Sequence, residues 1–445
     1  MPKLPQNNNM PSFAKTGISE LKKRLLFVLF GFLVFRLGAH IPVPGIDIVK
    51  IADLFGRHKG GMLDMFNIFS GGALSRMSVF ALGVFPYITA SIIMQLLTST
   101  TPSLAQLKKE GEKGRRKITQ YTRYAALCFA LFQSIGIAKM LTYQGAVDNP
   151  GLYFYVSTAV TLTTGVLFLM WLGEQMTEKG IGNGISLLIF AGIVSRLPSG
   201  VSLVLNNLKQ GQMQPISFIA LVAIIFLILA FIVFVERAQR QITINYAKRQ
   251  QGNKIYSGKV SHLPLKVNIT GVIPPIFAFS ILAFPTTIAN FYTSSMQNSF
   301  FSKVMFWLSP GQPLYITFLV LAIFFFSFFY AAMVFSPAET ADNLKKSGAL
   351  VPGLRPGKNT ADYIDHVMSR LTLIGAIYLS LVALMPDVMR SMWNFTFYFG
   401  GTSLLIVVVV IMDFITQIQS HLMSQKYESI LKKSKDKSGS LGLIR

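Results

Sequence analysis

The stretch PISFIALVAIIFLILAFIVFV at residues 215–235 contains no charged residue. It is followed at once by ERAQRQITINYAKRQQGNKIYSGKVSHLPLKV at residues 236–267, which carries seven Lys or Arg and one acid. About 20 apolar residues is the length at which a helix crosses the ~30 Å hydrocarbon core of a bilayer. Together the two segments predict a membrane span with a long basic loop behind it.

The same pattern extends in both directions along the 445-residue chain, in which 52% of residues are hydrophobic and 13% are charged. The alternation within segments of about ten residues that marks an outer-membrane barrel is absent. We therefore predict an all-α polytopic membrane protein with ten transmembrane helices. The predicted spans lie near residues 25–39, 77–97, 121–140, 153–173, 181–206, 215–235, 267–291, 314–335, 370–388 and 398–420.

The placement of the positive charge predicts the orientation of the chain. Of the 41 Lys and Arg, 30 lie in the N-terminal tail, the even-numbered gaps and the C-terminal tail, and eight lie in the odd-numbered gaps. Because cytoplasmic loops are enriched in Lys and Arg, both termini are expected in the cytoplasm, with tails at residues 1–24 and 421–445. The net charge of +23 is thus explained by topology and does not indicate direct, sequence-specific nucleic-acid binding.

A short polar link near residues 207–214 separates five spans from five more, which indicates an N-terminal half at 25–206 and a C-terminal half at 215–420. After the first span, IPVPGI (41–46) must turn because its prolines oppose helix. The segment MLDMFNIFSGGALSR (62–76) has an apolar core too short to span the membrane. Its length is typical of a re-entrant helix and equally of an ordinary external amphipathic helix.

No motif indicates catalysis, a metal or a cofactor. The five histidines are not spaced for a metal site, and no P-loop occurs. GIGNG (180–184) lacks a preceding strand, so we interpret its glycines as a turn with close helix packing. Cys128 is the only cysteine, so no intrachain disulfide can form. Asp413 lies well inside a span, and we interpret it as a helix–helix hydrogen-bond partner rather than an ion-coupling group.

Two cytoplasmic loops, at residues 236–267 and 336–367, are longer than topology requires, and long loops more often carry function. Runs of β-branched residues predict a hairpin in the first loop. In the second, Arg355 stands between the two Pro-Gly turns of VPGLRPG, which would hold its guanidinium outward toward a carboxylate or phosphate. Attraction to anionic lipid is the simpler explanation for basic loops of this kind.

Several long strings resemble the bacterial SecY family, the channel subunit of the general protein translocase, in the family's order and over about residues 15–430. They are FNIFSGGALSR, FALGVFPYITASIIMQLL, KKEGEKGRRKITQYTRY, WLGEQMTEKGIGNGIS, NYAKRQQG, HLPLKVNITGVIPPIFA, ETADNLKKSGALVPGLRPG and FYFGGTSLLIVVVVIMDF.

The resemblance implies a clamshell of two five-helix halves around an hourglass pore, through which unfolded secretory polypeptides cross the membrane. It implies an apolar ring at the waist, in which Val84 occupies a position that is commonly isoleucine, so a slightly wider waist is expected. The ring residues implied are Val84, Ile88, Ile185, Ile189, Ile276 and Ile406. Segment 62–76 becomes a plug, with Met65, Phe66, Ile68, Phe69, Gly71 and Gly72 as its central residues.

The resemblance further implies a lateral gate that releases transmembrane segments sideways into lipid, at Thr89, Ile92, Pro275 and Phe284. The prolines near residues 274–285 would let the gate helix bend. The two long loops become docking sites for the SecA ATPase and the ribosome, through Arg240, Lys248, Arg249, Lys254, Arg355 and Lys358.

The implied partners are the SecE and SecG subunits, signal peptides, nascent polypeptides and anionic lipid. The implied location is the bacterial inner membrane, with both termini cytoplasmic. Two other classes stay open on the residues alone. A secondary transporter of a small solute would need a polar site at the midplane, against which the sparse intramembrane charge argues. A structural scaffold would need no hydrophobic ring.

Overall fold

The computed structural model describes residues 12–47, 50–51, 62–147, 149–211, 214–246, 249–251, 254–256, 260–292, 307, 312–393 and 401–441. Most of these residues are helical. The helices are α1 Ser12–Gly38, α2 Met62–Phe69, α3 Phe85–Thr100, α4 Pro102–Lys109, α5 Glu112–Tyr143, α6 Leu152–Lys179, α7 Gly184–Lys209, α8 Pro215–Arg237, α9 Ile273–Tyr292, α10 Pro313–Val334, α11 Pro337–Lys346, α12 Lys358–Trp393 and α13 Gly401–Leu441.

Seven of the described helices are long and apolar enough to cross a membrane, namely α5, α6, α7, α8, α10, α12 and α13. The first part of α9, Ile273–Leu282, is apolar but shorter. The helices α1 and α3 coincide with the remaining predicted spans, although α1 carries basic residues in its first turns and α3 has only 16 residues. The chain is therefore a polytopic, mostly helical membrane protein.

The predicted start of the second span was wrong. Hydropathy placed it near residue 77, but the helix begins at Phe85, and residues 70–84 form successive turns. Gly71, Gly72 and Gly83 have positive φ values of 70°, 83° and 57° in this segment. Such values are costly for residues with a Cβ, so the glycines allow apolar chain to remain non-helical. Residues 70–84 are hydrophobic because they are buried, and not because they belong to a membrane-spanning helix.

The turn at residues 180–183 confirms the interpretation of GIGNG. The Asn183 side chain caps α7 by accepting hydrogen bonds from the backbone N–H groups of Ile185, at 3.1 Å, and Ser186, at 3.5 Å. A Cβ on Gly184 would overlap the carbonyl oxygen of Gly173 in α6. The glycine thus permits the close crossing of α6 and α7.

The hairpin predicted in the first long loop is present, so the chain is not purely α-helical. Strands β1 Gln239–Tyr246 and β4 Val260–Lys266 pair antiparallel, and the short strands β2 Arg249–Gln251 and β3 Lys254–Tyr256 pair beyond them. Strand β5 Ala349–Leu350, from the second long loop, adds to the other edge of β1. The sheet order β4-β1-β5 therefore joins the two loops into one unit.

A single hydrophobic cluster packs helices from both halves of the chain against one another. It includes Val84 and Ile189 from the N-terminal half and Phe277 and Ile406 from the C-terminal half. By contrast, α8 is apolar on all sides and leaves large side chains such as Phe226 exposed, as expected of a helix surrounded by lipid. The interface between the halves is thus the buried interior of the bundle.

Candidate functional site

Apolar side chains from both halves of the chain meet around a small cavity, and we call this place the waist. Phe69, Val84, Phe85, Ile88, Ile189, Ile276 and Phe279 surround a cavity of about 10 Å³. That volume is at the lower limit of what one water molecule requires, and the lining offers no polar side chain to bind one. An apolar constriction of this kind blocks ions by excluding water.

Four of the six predicted ring residues meet at this cavity: Val84, Ile88, Ile189 and Ile276. They come from the residue before α3 and from α3, α7 and α9, so both halves contribute. Val84 and Ile88 are one turn apart, which places both on one face. The other two predicted residues, Ile185 and Ile406, belong to the same hydrophobic cluster but do not line the cavity.

Ile185 lies one turn before Ile189 on α7 and lines a larger, polar cavity of about 700 Å³. This cavity also contains the ion pair of Arg123 and Glu174, whose two contacts measure 3.0 Å and 2.6 Å. Ile406 lies within α13 and is 1% exposed. The structure therefore places Ile185 at the mouth of the waist and Ile406 in the packing behind it.

Sequence reasoning did not select Phe85 and Phe279 for the waist, although both line the cavity. Phe85 directly follows Val84, and Phe279 is three residues after Ile276, a spacing that places two helical side chains on the same face. This spacing was a usable signal. It was weak because the chain contains 37 phenylalanines, most of which could be ordinary core.

The segment predicted as the plug reaches the waist from one side. It contains the short helix α2, which ends at Phe69, followed by a turn in which Gly71 and Gly72 both have positive φ, as the predicted helix end requires. Phe69 lines the cavity, and Phe66 and Phe69 contact the Phe85 ring edge-on, with centroid distances of 4.6 Å and 5.5 Å. The segment therefore contacts the waist through aromatic rings.

Hydrogen bonds within the segment hold its turn together. Asn67 is 2% exposed, and its side-chain oxygen accepts a hydrogen bond of 2.9 Å from the backbone of Ser75. The backbone N–H of Gly72 donates to the Asn67 carbonyl at 2.8 Å. Ile68 is also buried. The side chain of Met65 lies outside the described residues, so its place in the plug stays a prediction.

A second polar cavity, of about 270 Å³, lies beside the 700 Å³ cavity and shares Gly182, Asn183 and Gln417 with it. Asp413 lines it, is exposed there, and makes no hydrogen bond to any residue the structure describes. The interpretation of Asp413 as a helix–helix hydrogen-bond partner was therefore wrong. Its helix instead places the carboxylate at the wall of this cavity.

The same cavity contains a buried polar link at the base of the hairpin. The Asn268 side-chain nitrogen donates to the Glu236 carboxylate at 2.6 Å, and the Thr270 hydroxyl donates to the Asn268 side-chain oxygen at 3.1 Å. Glu236 lies in the last turn of α8, and Asn268 precedes α9. The link therefore fastens the hairpin to the helix that carries Ile276.

The predicted lateral gate lies where α9 packs against α3 and α5. Ile92 is buried there, and the Thr89 hydroxyl donates to the Phe85 carbonyl within its own helix at 3.1 Å. No described hydrogen bond joins the side chains of α9 to those of α3 or α5. The side chain of Phe284 is outside the described residues.

The prolines of the gate helix do not act as predicted. Pro274 and Pro275 occupy the first turn of α9, which begins at Ile273. Backbone N–H groups in a first turn have no intrahelical partner, so proline costs nothing there and favours the helix start. Only Pro285 falls within the helix interior. The expectation that this group of prolines bends the helix was wrong for the first two.

Arg355 lies as predicted between two turns, with Gly353 and Gly357 at φ values of 82° and 109°. The buried Thr360 hydroxyl donates to the Arg355 carbonyl at 2.9 Å and fixes the loop against the start of α12. The Arg355 side chain is exposed. Among the residues whose side chains are described, none forms an ion pair with it.

The other predicted docking residues belong to the same two long loops. Arg240 on β1 and Lys358 at the start of α12 are exposed. Arg249 and Lys254 lie on β2 and β3, with side chains outside the described set, and Lys248 lies outside the described residues. Beneath the sheet a separate hydrophobic cluster, which includes Ile242, Leu265, Val351 and Ile364, supports both loops.

Comparison with known proteins agrees with this geometry. The SecY family model matches residues 78–415. The chain is 56% identical over 425 residues to the protein translocase subunit SecY of Escherichia coli (strain K12), covering 95% of this chain and 96% of that protein.

Two solved structures share the fold at 17% sequence identity. One, with a TM-score of 0.66 and 96% of both chains covered, is described as showing that the plug domain of SecY stabilises the closed state of the translocation channel. The other, with a TM-score of 0.61 and coverage of 94% and 91%, is the idle yeast Ssh1 complex bound to the yeast 80S ribosome. The extent and identity of the bacterial match show that the chain belongs to the SecY family of protein translocase subunits.

Proposed function

We propose that this protein-conducting channel is closed at rest by its waist and plug together. The observation that carries the proposal is the cavity of about 10 Å³, lined by residues from both halves and by Phe69 of the plug segment. The four branched side chains at the cavity, the two phenylalanines beside them and the plug would exclude water and ions. The same surface would offer a passing polypeptide no hydrogen bonds, so that polypeptides of any sequence can slide through.

All ten predicted spans cross the bacterial inner membrane in this proposal, with both termini in the cytoplasm. The halves at 25–206 and 215–420 open like a clamshell around an hourglass pore. The polar cavities of about 700 Å³ and 270 Å³ form the cytoplasmic funnel.

Transmembrane segments leave between α3, α5 and α9. Apolar segments gain ~0.8 kcal/mol per CH₂ buried in lipid, which is ample to separate them from polar ones.

The three-stranded sheet is the docking surface for SecA and the ribosome, with SecE and SecG as membrane partners. A buried core under two loops is not needed to set topology, but it would hold exposed cations in fixed positions. Signal peptides and nascent chains are the substrates, and anionic lipid contacts the remaining basic loops. No motor motif lies in this chain, so energy comes from the docked partner.

The test is deletion of residues 62–76 in protein reconstituted with SecE and SecG in vesicles. We expect SecA-dependent translocation to continue and the resting ion conductance to rise. Purification of the full chain provides the partner test, because SecE and SecG are expected to copurify with it. Unchanged conductance in the deleted protein would contradict the proposed closure, and a solute-dependent current would instead favour a small-solute transporter.

A further inference from the structure

One face of α7 carries more than the waist residues. Ile185 lines the 700 Å³ cavity and Ile189 lines the waist. Gly192 and Ser195 follow at intervals of three residues, which keeps them on the same side of the helix. At 1.5 Å of rise per residue, the four positions form a line along one side of α7. The last two lie where the plug segment leaves the waist.

Gly192 allows the plug backbone to lie directly against α7. A Cβ at this position would overlap the carbonyl oxygen of Phe69 and would lie 3.3 Å from the backbone nitrogen of Gly71. Both obstacles are backbone atoms, so no side-chain rotation could make room. A residue larger than glycine would therefore force the plug segment away from the helix.

The carbonyl oxygen of Gly71 is the point at which this part of the plug is held. A guanidinium nitrogen of Arg36, from α1, donates to it at 3.3 Å. The hydroxyl of Ser195 lies 3.4 Å from the same oxygen and 2.8 Å from the Gly192 carbonyl within its own helix. The charged Arg36 is thus the main donor to this plug carbonyl, and the Ser195 hydroxyl lies beside it with its one proton nearer to the Gly192 carbonyl.

The position of Arg36 needs an explanation beyond membrane topology. A basic residue near the end of a span ordinarily extends toward the aqueous interface. Arg36 is only partly exposed and directs its guanidinium at the plug backbone, although Arg76 lies nearby and is also positive. Arg76 itself contacts His40 at 2.7 Å. The contact with Gly71 therefore distinguishes Arg36 from its neighbour.

We propose that Gly192, Ser195 and Arg36 form a seat for the plug, and that they are positioning residues that set how often the resting channel opens. The inference rests on the proposed role of segment 62–76 as the plug. The seat contacts backbone atoms only, so it holds the plug without depending on the plug side chains. Its charged hydrogen bond breaks whenever the plug moves out, so its loss favours the open state.

The experiment compares Gly192→Ala and Arg36→Gln with two matched controls. Ser199→Ala is the control for Gly192→Ala, because it also places an alanine in α7, at a position whose hydroxyl makes its only described hydrogen bond to the Arg196 carbonyl. Arg76→Gln removes an arginine from the same region without touching Gly71. Each variant is reconstituted with SecE and SecG, beside the plug-deleted protein, and resting ion conductance is recorded.

We expect resting conductance to rise about tenfold for Arg36→Gln, which loses a charge-assisted hydrogen bond, and by at least as much for Gly192→Ala. Arg36→Lys should restore part of the seal because its ammonium can still donate. SecA-dependent translocation should remain intact in all of these variants. In a background carrying Cys128→Ser, a disulfide between Phe69→Cys and Ile189→Cys should form readily in the resting channel and poorly once Arg36→Gln is added.

Two results would overturn the seat. If the plug-deleted protein conducts ions but Arg36→Gln and Gly192→Ala stay sealed, the proposed closure stands and the seat is wrong. If the plug-deleted protein itself stays sealed while translocating normally, the plug has no sealing role and the seat fails with it. Gly192→Ala by itself could impair folding, so the Arg36→Gln variant decides between these outcomes. Its protein level and its translocation activity show whether it is folded.

Discussion

The waist and the docking sheet are built by opposite means. At the waist, side chains from α3, α7 and α9 meet through apolar contact around a cavity of about 10 Å³. The docking sheet is held by a backbone ladder between β1 and β4, by the added strand β5, and by the Asn268–Glu236 link at its base. One region has almost no directional bonds, and the other has many.

The difference corresponds to what each region has to do. Apolar contacts are short-ranged and non-directional, so surfaces that separate can close again without matching donors to acceptors. Hydrogen-bonded strands and fixed turns hold charges in set positions, which a docking partner requires. In the proposed function, the part of the channel that moves is the part with few directional bonds among the described residues. Substitutions should therefore change gating at the waist and docking at the sheet.

The largest effect is expected for Arg355→Glu in the sheet region. A docked partner would lose a charge-assisted contact and meet a like charge, at a cost of about 2 kcal/mol or more. That cost corresponds to a loss of SecA-dependent translocation of about thirtyfold. The exposed loop contributes little to folding, so protein level and SecE association should not change. The measurement is SecA-dependent import of a secretory precursor into vesicles.

The matched control is Lys358→Glu, which reverses an exposed charge three residues away and should have a smaller effect. Arg355→Lys should also impair import, since an ammonium cannot reproduce a bidentate guanidinium contact. Near-normal import by Arg355→Glu would remove the docking role and leave a solvated charge that only sets topology.

The next effect in size is expected at the waist, for Ile276→Asn. The amide would be unpaired in the closed state, at a cost of roughly 1–3 kcal/mol, and opening to water relieves that cost. The equilibrium should move toward the open state by about tenfold per 1.4 kcal/mol. Precursors with weakened signal sequences should therefore be exported better, while docking is unaffected.

Ile406→Asn extends the same comparison, because Ile406 is buried but does not line the cavity. Improved export of precursors with weakened signal sequences would show that Ile406 belongs to the waist when the channel opens. Loss of protein without improved export would identify it as ordinary core. If Ile276→Asn does not improve the export of any precursor with a weakened signal sequence, the apolar constriction does not control opening.

A smaller effect is expected for Thr360→Val in the sheet region. This substitution keeps the shape of a buried side chain and removes its 2.9 Å hydrogen bond to the Arg355 carbonyl. One such bond contributes about 1 kcal/mol, so the turn should loosen and SecA-dependent import should fall by about fivefold. Thr340→Val is the control, since its hydroxyl donates to the Ser336 carbonyl in α11. Equal losses for both variants would mean that the Arg355 turn has no special role.

The two regions also differ in how far the sequence predicts them. Charge runs, Pro-Gly pairs and β-branched strings have distinct physical signals, so the hairpin and the Arg355 turns could be predicted from the residues. Apolar helical residues carry no comparable signal, because core and pore lining both require the same side chains. Val84 and Ile276 were selected only through the resemblance, and Phe85 and Phe279 were not selected at all.

Non-local packing accounts for the remaining differences. The turns at residues 77–84 were assigned to a span because averaged hydropathy cannot separate buried coil from helix. The exposure of Asp413 depends on a cavity formed by residues of α7, α8, α9 and α13. The contact of Arg36 with Gly71 joins residues 35 positions apart. None of these features is visible in a local window of sequence.

The smallest effect is expected for Val84→Ile, which adds one methylene to the waist. Burying a methylene stabilises the closed state by ~0.8 kcal/mol if the cavity beside Val84 can take it, which would lower resting ion conductance by up to about fourfold. The cavity of about 10 Å³ is small, so a neighbouring side chain must shift to accommodate the extra group. Single-channel recording of plug-deleted protein isolates the effect, because only the waist then limits the current.

A higher conductance would mean that the waist is already fully packed and is forced apart by the extra group. No change in SecA-dependent import is expected with strong precursors, since the docking sheet is untouched. A change in import with unchanged conductance would show that the waist and the sheet are coupled rather than independent.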